Sequence, residues 1–416
     1  MLLPLALPTR RLMPSTPSKK STIGPRSSRR SGPPKVALLI ETSNAYARGL
    51  LRGIEAYVRE HRAWSIYLPE HGRGDRPPAW LREWQGDGII ARIENRSIAR
   101  ALEPLKLPLV DVSAACLMPR VPFVETDDVA IAEMAASHFE ERGFQNFAFC
   151  GDTRFNWSVW REQSFTRAIR TRGHPCFEHR PAAGITPDDD AFIDDLAAWL
   201  VKLPKPLAVF ASYDIRGRQV LDACRRRDIA VPEEVAVLGV DNDEMLCGLA
   251  PVPMSSIIPN TLRAGYDAGA LLDRMMSGEK VSPGAHLIPP LGLATRQSTD
   301  ITAVDDPHVA RAARFIRENA CRGAGVAEVV ASVPLARRLL EKRFRATLGR
   351  TLGEELSRVQ MQRVKELLAS TDLPLAEIAD RAGFKHVEYL TVVFKRECGT
   401  TPSAYRQSQL PHPAHD

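Results

Sequence analysis

Between Lys35 and the region of residue 260, short and almost wholly apolar runs alternate with longer stretches of helical periodicity. The runs are VALLI (Val36 to Ile40), IYLP from Ile66, DGIIARI from Asp87, LPLVDV from Leu107, NFAFC from Asn146, LAVFAS from Leu207 and VAVLGV from Val235. Apolar runs without polar alternation fit strands covered on both faces, the condition of a parallel sheet. The stretches between them include GLLRGIEAYVREH (Gly49 to His61), IAEMAASHFEERG (Ile131 to Gly143) and RGRQVLDACRRRD (Arg216 to Asp228), which repeat apolar residues every three or four and predict crossover helices. Strand and helix in alternation predict doubly wound α/β structure in two lobes, with ligands bound beyond the carboxyl ends of the strands. The loops beginning at Glu41, Glu70, Thr126, Gly151, Ser212 and Asp241 are therefore the candidate binding loops.

Further on the pattern changes to short amphipathic helices, and one spacing occurs twice. From Pro374 to Gly399, the residues Ile378, Ala379, Ala382, Gly383, Phe384, Tyr389 and Val392 hold the positions that two helices packed about a tight turn require. Ala379 is small enough for a close crossing, and Gly383 supplies the freedom of the turn. From Val326 to Gly349, the buried side is Val329, Val330, Val333, Leu335, Leu340 and Phe344, with Pro334 in the turn. Such a pair aims its second helix at a major groove, and two copies predict one reading head per groove. Leu352, Leu356, Val359, Leu367 and Leu368 predict a connecting helix from Thr351 to Ser370. The helix expected from Pro334 to Thr347 carries Arg337, Arg338, Lys342, Arg343 and Arg345 against one acid, Glu341. Outside a helix-turn-helix such charges would be a solvated face; inside one they suit phosphates and guanine edges.

Charge sharpens the division. The net +6 of the 416 residues is distributed as +7 before Pro34, −5 from Lys35 to Val304 and +4 from Asp305, so the middle offers no nucleic-acid surface. The first 34 residues mix Pro, Ser, Thr, Arg and Lys without one acid and predict a disordered basic tail. Its opening MLLPLALP lacks a leading positive charge and carries two prolines, a poor secretion signal. The seven cysteines, Cys116, Cys150, Cys176, Cys224, Cys247, Cys321 and Cys398, form no CxxC pair and suit a reducing cytoplasm. No apolar run is long enough to span a membrane. His71, His174 and His179 are expected at the surface, and no metal-ligand spacing or cofactor motif stands out.

FRATLG (Phe344 to Gly349), IADRAGF (Ile378 to Phe384), VFKRECG (Val393 to Gly399) and TPSAYR (Thr401 to Arg406) together resemble the AraC-type DNA-binding domain over residues 307 to 407. Leu390 stands where a Phe is commoner, and Pro334 where another small residue is usual. The resemblance implies base-facing positions at Arg337, Arg338, Glu341 and Lys342 in the first unit and at His386, Val387, Glu388 and Thr391 in the second. Arg345 adds to the DNA-facing charge, and Lys385, Lys395 and Arg396 are better placed for phosphates. In the middle, VETDD (Val124 to Asp128), WREQSF (Trp160 to Phe165) and VAVLGVDNDEMLC (Val235 to Cys247) resemble the LacI-type sugar-sensing domain related to periplasmic binding proteins. That likeness implies that Arg161 and Asp241 hold ligand hydroxyls. A sensor followed, rather than preceded, by its DNA-binding domain resembles the XylR-type regulators of xylose operons, and the agreement includes the junction RQSTDITAVDDPHVARAARFIRENACRG (Arg296 to Gly323).

The expectation is thus a disordered tail over 1–34, a two-lobed α/β periplasmic-binding-protein-like domain of parallel doubly wound sheets over 35–304, and an all-α domain with two helix-turn-helix units over 305–410. Candidate effector residues are Asn44, Tyr46, Arg48, Trp160, Arg161, Asp214, Asp241 and Asn242, with Ser43, Trp157 and Tyr213 beside them. Bland roles compete: Asp241 as a helix cap, Arg161 as the ion-pair partner of Asp152 or Asp127, and Trp157 and Trp160 as core. The implied partners are double-stranded DNA, a monosaccharide with D-xylose first, RNA polymerase as a further candidate, and a second copy of the chain in a homodimer. A sugar-binding transport or chemoreceptor component is the alternative, disfavoured by the paired heads. A sugar kinase or dehydrogenase lacks a Gly-rich phosphate loop, a GxGxxG and a nucleophile elbow here.

Overall fold

A computed structural model describes residues 32–70, 72, 75–186, 190–300, 306–371 and 373–409. The basic tail up to Ser31, His71 and the junction at 304 and 305 lie outside the described residues. Among those described, the strands are β1 (Lys35–Leu39), β2 (Ser65–Tyr67), β3 (Gly88–Ala91), β4 (Leu109–Asp111), β5 (Phe123–Thr126), β6 (Asn146–Cys150), β7 (Cys176–Glu178), β8 (Leu207–Ala211), β9 (Val235–Val240), β10 (Ser255–Ile258), β11 (Ala285–Ile288) and β12 (Gly292–Ala294). They form two sheets, ordered β11-β5-β4-β3-β1-β2 and β12-β10-β9-β8-β6-β7. Every pairing is parallel except β12 on β10. Six of the apolar runs became inner strands, buried on both faces, whereas IYLP formed β2, which lies exposed at a sheet edge.

The patterning missed β5, β7, β10, β11 and β12. Of these, β7, β11 and β12 are edge strands and only partly buried. The other two, β5 and β10, mix polar with apolar residues where the chain passes between lobes. After β5 the chain enters the helix Asp128–Glu140, whose Ile131, Ala135 and Phe139 pack with Phe147 and Phe149 of the second lobe. After β10 it returns through the helix Thr261–Met276 to the first lobe, and after β11 it crosses again into β12. The crossing strands are laced together, Asp127 N donating to the Ile288 carbonyl (2.8 Å) and Leu291 N to that of Ile258 (2.9 Å).

In the first lobe the helices Ala45–Glu60 and Thr261–Met276 cross in backbone contact. A Cβ on Gly53 would lie 2.0 Å from the Leu262 carbonyl oxygen, and one on Gly265 would lie 2.0 Å from that of Leu50. Neither obstacle is a flexible side-chain end, so the helices themselves would have to separate. Gly53→Ala is expected to cost about 1–3 kcal/mol of folding stability. Chemical denaturation checks this, and an unchanged midpoint would show that the crossing is loose.

The C-terminal helices are Pro307–Asn319, Val326–Ala331, Arg337–Leu348, Leu352–Ser370, Leu375–Arg381, Val387–Cys398 and Pro402–Gln409. Two small cores share the long helix Leu352–Ser370. Its first half packs Leu352 and Leu356 with Val329, Leu340 and Phe344, and its second half packs Val364 and Leu368 with Ile378, Phe384 and Phe394. Thr351 caps it, with Glu354 closing a capping box. Gly383, at φ +78°, makes the second turn, and a Cβ there would meet the Ala320 carbonyl at 2.5 Å.

Three sequence expectations need correction. The first reading helix begins at Arg337, because Pro334 to Ala336 are used in the turn. Tyr389 and Val392, expected inside, are exposed, while Leu390, Val393 and Phe394 fill the core instead. His179 is buried rather than superficial, its Nε2–H donating to Asp195 (3.0 Å) between Phe192 and Trp199.

Ion pairs fasten the C-terminal helices to the second lobe. Arg314 pairs with Asp228, Arg317 with the buried Glu233, and Arg358 with Asp300 (2.5 Å). Just before the junction, Ser298 and Thr299 are fully buried. Ser298 Oγ donates to the Val237 carbonyl (2.5 Å), and Thr299 Oγ1 meets His138 Nε2 (2.8 Å).

Candidate functional site

Between the lobes, beyond the carboxyl ends of both sheets, lies a cleft of about 610 Å³ counted out to its open mouth. From the first lobe it is lined by Asn44, Ala45, Tyr46, Arg92, Glu125 and Thr126, and from the second by Trp157, Arg161, Tyr213, Asp214, Ile215, Asp241, Asp243 and Leu246.

The first-lobe wall is built where β1, β3 and β5 end. Asn44 caps the helix Ala45–Glu60, accepting from Ala47 N (2.8 Å) and donating its amide to Glu41 (2.9 Å). That cap sets Tyr46 in the first turn, where its hydroxyl donates to the buried Glu125. Glu125 also accepts from Thr126 N (2.9 Å) and from its hydroxyl (3.2 Å). Arg92 pairs with Glu41 and with Glu94 (2.9 Å), its guanidinium 5.2 Å from the Tyr46 ring centre. Burial, then the charge of Glu125, pushes the Tyr46 hydroxyl well above its ordinary range, so it stays a donor. Burial works against the charge of Arg92, and Glu94 and Glu41 outweigh it.

On the second-lobe wall Arg161 is 3% exposed and locked. Its Nε and Nη2 donate to Asp128 Oδ1 (2.9 and 2.6 Å) and its Nη1 to the Ser212 carbonyl. The ion-pair partner is thus Asp128, not Asp152 or Asp127: Asp152 serves Arg154 and Arg216, and Asp127 caps the helix after β5. Burial opposes the guanidinium charge, and Asp128 and then Asp241 outweigh it. Asp241 does not cap the next helix; Asp243 does. Asp241 sits instead at φ +109°, followed by Asn242 at +47°. A side-chain-bearing residue persists in that region only where its neighbours hold it. Here Asn242 N donates to Ser256 Oγ (3.0 Å), Arg296 donates to the Asn242 side chain (2.8 Å), and Asp243 N donates to Asp214 (2.7 Å).

Of the expected effector residues, the fold brings Asn44, Tyr46, Arg161, Asp214 and Asp241 to the cleft wall. Arg48, Trp160 and Asn242 are not on it. Arg48 points to solvent and donates back to the Thr42 carbonyl (3.1 Å), and Asn242 is turned to Arg296. The cleft lies over the first turn of the helix Asn156–Thr171, which presents Trp157; Trp160 is a turn deeper, and the longer Arg161 reaches back toward the helix start. Asp214 is 1% exposed, and its oxygens are occupied by Ser256 Oγ (2.6 Å), Asp243 N and Cys247 Sγ (3.5 Å). Arg92 and Glu125 were missed, although a charge at the carboxyl end of an apolar run, as in DGIIARI, is a usable signal. Fixed donors and acceptors, with Trp157 and Tyr213 as flat apolar faces, suit an uncharged polyhydroxylated ligand.

Buried acids make this domain sensitive to pH. Burial raises Asp111 to about 7, and burial with the charge of Asp241 raises Asp214 to about 8. In the folded state each keeps a proton that the unfolded chain releases above about pH 4, so stability falls as pH rises from there and levels off only above the folded values of about 7 and about 8. His138, lowered to about 3 by burial, has the opposite sign, but its contribution is complete above the ordinary histidine value. The melting temperature is therefore expected to fall between about pH 6.5, above which His138 no longer contributes, and about pH 8.5, by which the loss is complete. Asp214→Asn should flatten the slope, and parallel slopes in variant and parent would refute the assignment.

On the first reading helix, Arg337, Arg338, Lys342 and Arg345 are exposed. Glu341 accepts from Arg337 Nε (2.9 Å), and Arg343, also exposed, pairs with Asp306 (3.0 Å). On the second, Lys385, His386, Glu388, Lys395 and Arg396 are exposed. Val387 and Thr391 are half-buried, and the Thr391 hydroxyl donates back to the Val387 carbonyl (2.9 Å).

Three protein-family models match: the XylR N-terminal domain over residues 35–129, the periplasmic binding protein-like domain over 136–299, and a helix-turn-helix domain over 329–408. The xylose operon regulatory protein of Haemophilus influenzae is 31% identical over 383 residues, which cover 89% of this chain and 98% of that protein. Its namesake from Escherichia coli K12 is 31% identical over 380 residues, 89% and 96% of the two chains. A solved structure of a xylose-binding transcription activator, XylR, superposes with a TM-score of 0.80 at 30% identity, covering 92% of this chain and all of that one. The cellobiose complex of the regulator CelR, at a TM-score of 0.54, 22% identity and 64% of this chain, shares the two-lobed fold. With sensor lobes and paired reading heads matched in the same order from end to end, the chain belongs to the xylose operon regulator family of transcription regulators.

Proposed function

We propose that the chain is a cytoplasmic regulator of pentose-utilisation genes that binds D-xylose between its lobes and duplex DNA with its C-terminal heads. The observation that carries this is the cleft wall on which Arg161, Asp241, Glu125 and Arg92 face one another beside Trp157 and Tyr213. Arg and carboxylate partners held in place from behind select among hydroxyl stereoisomers. The relatives named for the xylose operon support the choice of sugar. Effector binding changes DNA binding only through a difference in affinity for two arrangements of lobes and heads, and the ion pairs of Arg314 and Arg317 are the connection. A homodimer engaging RNA polymerase at the promoter completes the reading.

Calorimetry against D-xylose, L-arabinose and D-glucose tests the sensor half: D-xylose is expected to bind, and no heat from any pentose would overturn it. In the DNA half, Arg338→Ala or Lys342→Ala is expected to relax base preference within one half-site at a cost of about 1–3 kcal/mol. Lys395→Ala, as a phosphate contact, should weaken all sequences alike and make the salt dependence shallower by about one unit. Footprints spanning two major-groove segments on one face of the duplex are expected.

A further inference from the structure

The second reading helix, Val387–Cys398, exposes two large apolar side chains. Tyr389 is 62% exposed and Val392 65%, while Leu390, Val393 and Phe394 on the other side are at most 2% exposed. The helix cannot roll to cover Tyr389 and Val392 without unpacking its core. They stand three residues apart and so share a face. Lys385 lies in the turn that leads into the helix, and Lys395 and Arg396 about one turn after Val392; all three are exposed, as is Glu388. The face is an apolar pair beside one carboxylate, with cations at both ends.

A partner for such a face carries negative charge on either side of an apolar centre. The major groove of duplex DNA is built this way, with phosphates along both walls and the thymine C5 methyl as the apolar group on its floor. We propose that Tyr389 and Val392 read thymine methyl groups, making the second head a selector of A·T pairs while Arg338 and Lys342 of the first head select guanine. Thr391, its hydroxyl bonded back to Val387, is thereby displaced from the base-facing set. Discrimination has two sources. A methyl buried against Val392 or the Tyr389 ring is gained, and a cytosine amino group facing the same surface is left without an acceptor. The inference rests on the reading of this chain as a DNA-binding regulator.

The test starts from duplexes selected by the full-length protein, with and without D-xylose, from a library randomised over the footprint. In the best duplex each thymine is then replaced in turn by uracil, which removes the C5 methyl and leaves the pairing edge unchanged. Thymine is expected to recur in the segment protected by the second head. Uracil there should weaken binding about four-fold per methyl, the worth of one buried methylene. The same replacement should have no effect on whichever of Tyr389→Ala and Val392→Ala has lost the contact. The Tyr389 ring lies 6.2 Å from that of Phe384, so Val392→Ala, which leaves that ring pair in place, keeps the test valid if the tyrosine variant loosens the turn. A selected segment without thymine, or uracil weakening parent and variants equally, overturns the inference and leaves the regulator reading intact. Variants with unchanged DNA selectivity that fail only in transcription assign the face to a protein partner and also overturn it. Failure to select any duplex overturns both readings together.

Discussion

Arg161→Ala is expected to weaken D-xylose binding by roughly 2–4 kcal/mol, the usual result of removing one partner of a buried charge-assisted hydrogen bond. Asp241→Ala should cost about as much by the same argument. The two differ in their effect on the fold. Arg161 also neutralises the buried Asp128, whose Oδ2 has no hydrogen-bond partner among the described residues. Its loss is expected to lower the melting temperature as well, whereas Asp241→Asn changes a half-exposed carboxylate and should leave folding nearly intact. Calorimetry on folded variants separates the two effects. Undiminished affinity in both would place the sugar elsewhere and return the pair to a purely structural role.

Arg317→Ala is expected to destabilise the protein by about 3–5 kcal/mol, because it strands a buried carboxylate. Glu233 is 1% exposed; one of its oxygens is held by Arg317, and the other has no partner among the described residues. The neighbouring pair provides the contrast. Asp228, the partner of Arg314, is 83% exposed on its side chain, so Arg314→Ala should change stability little. Both pairs join the second lobe to the helix Pro307–Asn319. Thermal unfolding with and without D-xylose is expected to show Arg317→Ala melting earlier and losing much of the effect of the sugar on DNA affinity. A variant that melts earlier yet responds fully to the sugar would confine the pair to stability and remove it from signalling.

Much of this architecture can be read in one dimension. The apolar runs of the inner strands are legible because a strand covered on both faces needs every side chain apolar, whatever its neighbours are. The second head is legible because a tight turn between crossing helices demands a small residue and a glycine at set offsets, met by Ala379 and Gly383, and the first because its apolar spacing repeats about Pro334. Asp241 stands out because it follows a strand where a doubly wound sheet opens its cleft, and Arg161 because WREQSF resembles the LacI-type sugar-sensing domain. The strands that carry the lobe crossings are hidden, since β10 opens with Ser255 and Ser256, both fully buried, whose hydroxyls are satisfied by Arg296 and Asp214 from distant parts of the chain. Arg92 and Glu125 are hidden for the same reason. Glu125 binds Tyr46 across 79 residues and Arg92 binds Glu41 across 51, through a strand order that sequence order does not contain. The second reading helix shows the limit of periodicity most directly. With Val387, Tyr389, Leu390, Val392, Val393 and Phe394 in one short segment, apolar residues lie on nearly every side, and two rotations fit the pattern equally. Packing of Leu390 and Phe394 against Ile378 and Val364 selected one of them and left Tyr389 and Val392 facing outward, because the space available to a side chain is set by non-local neighbours that local spacing cannot specify.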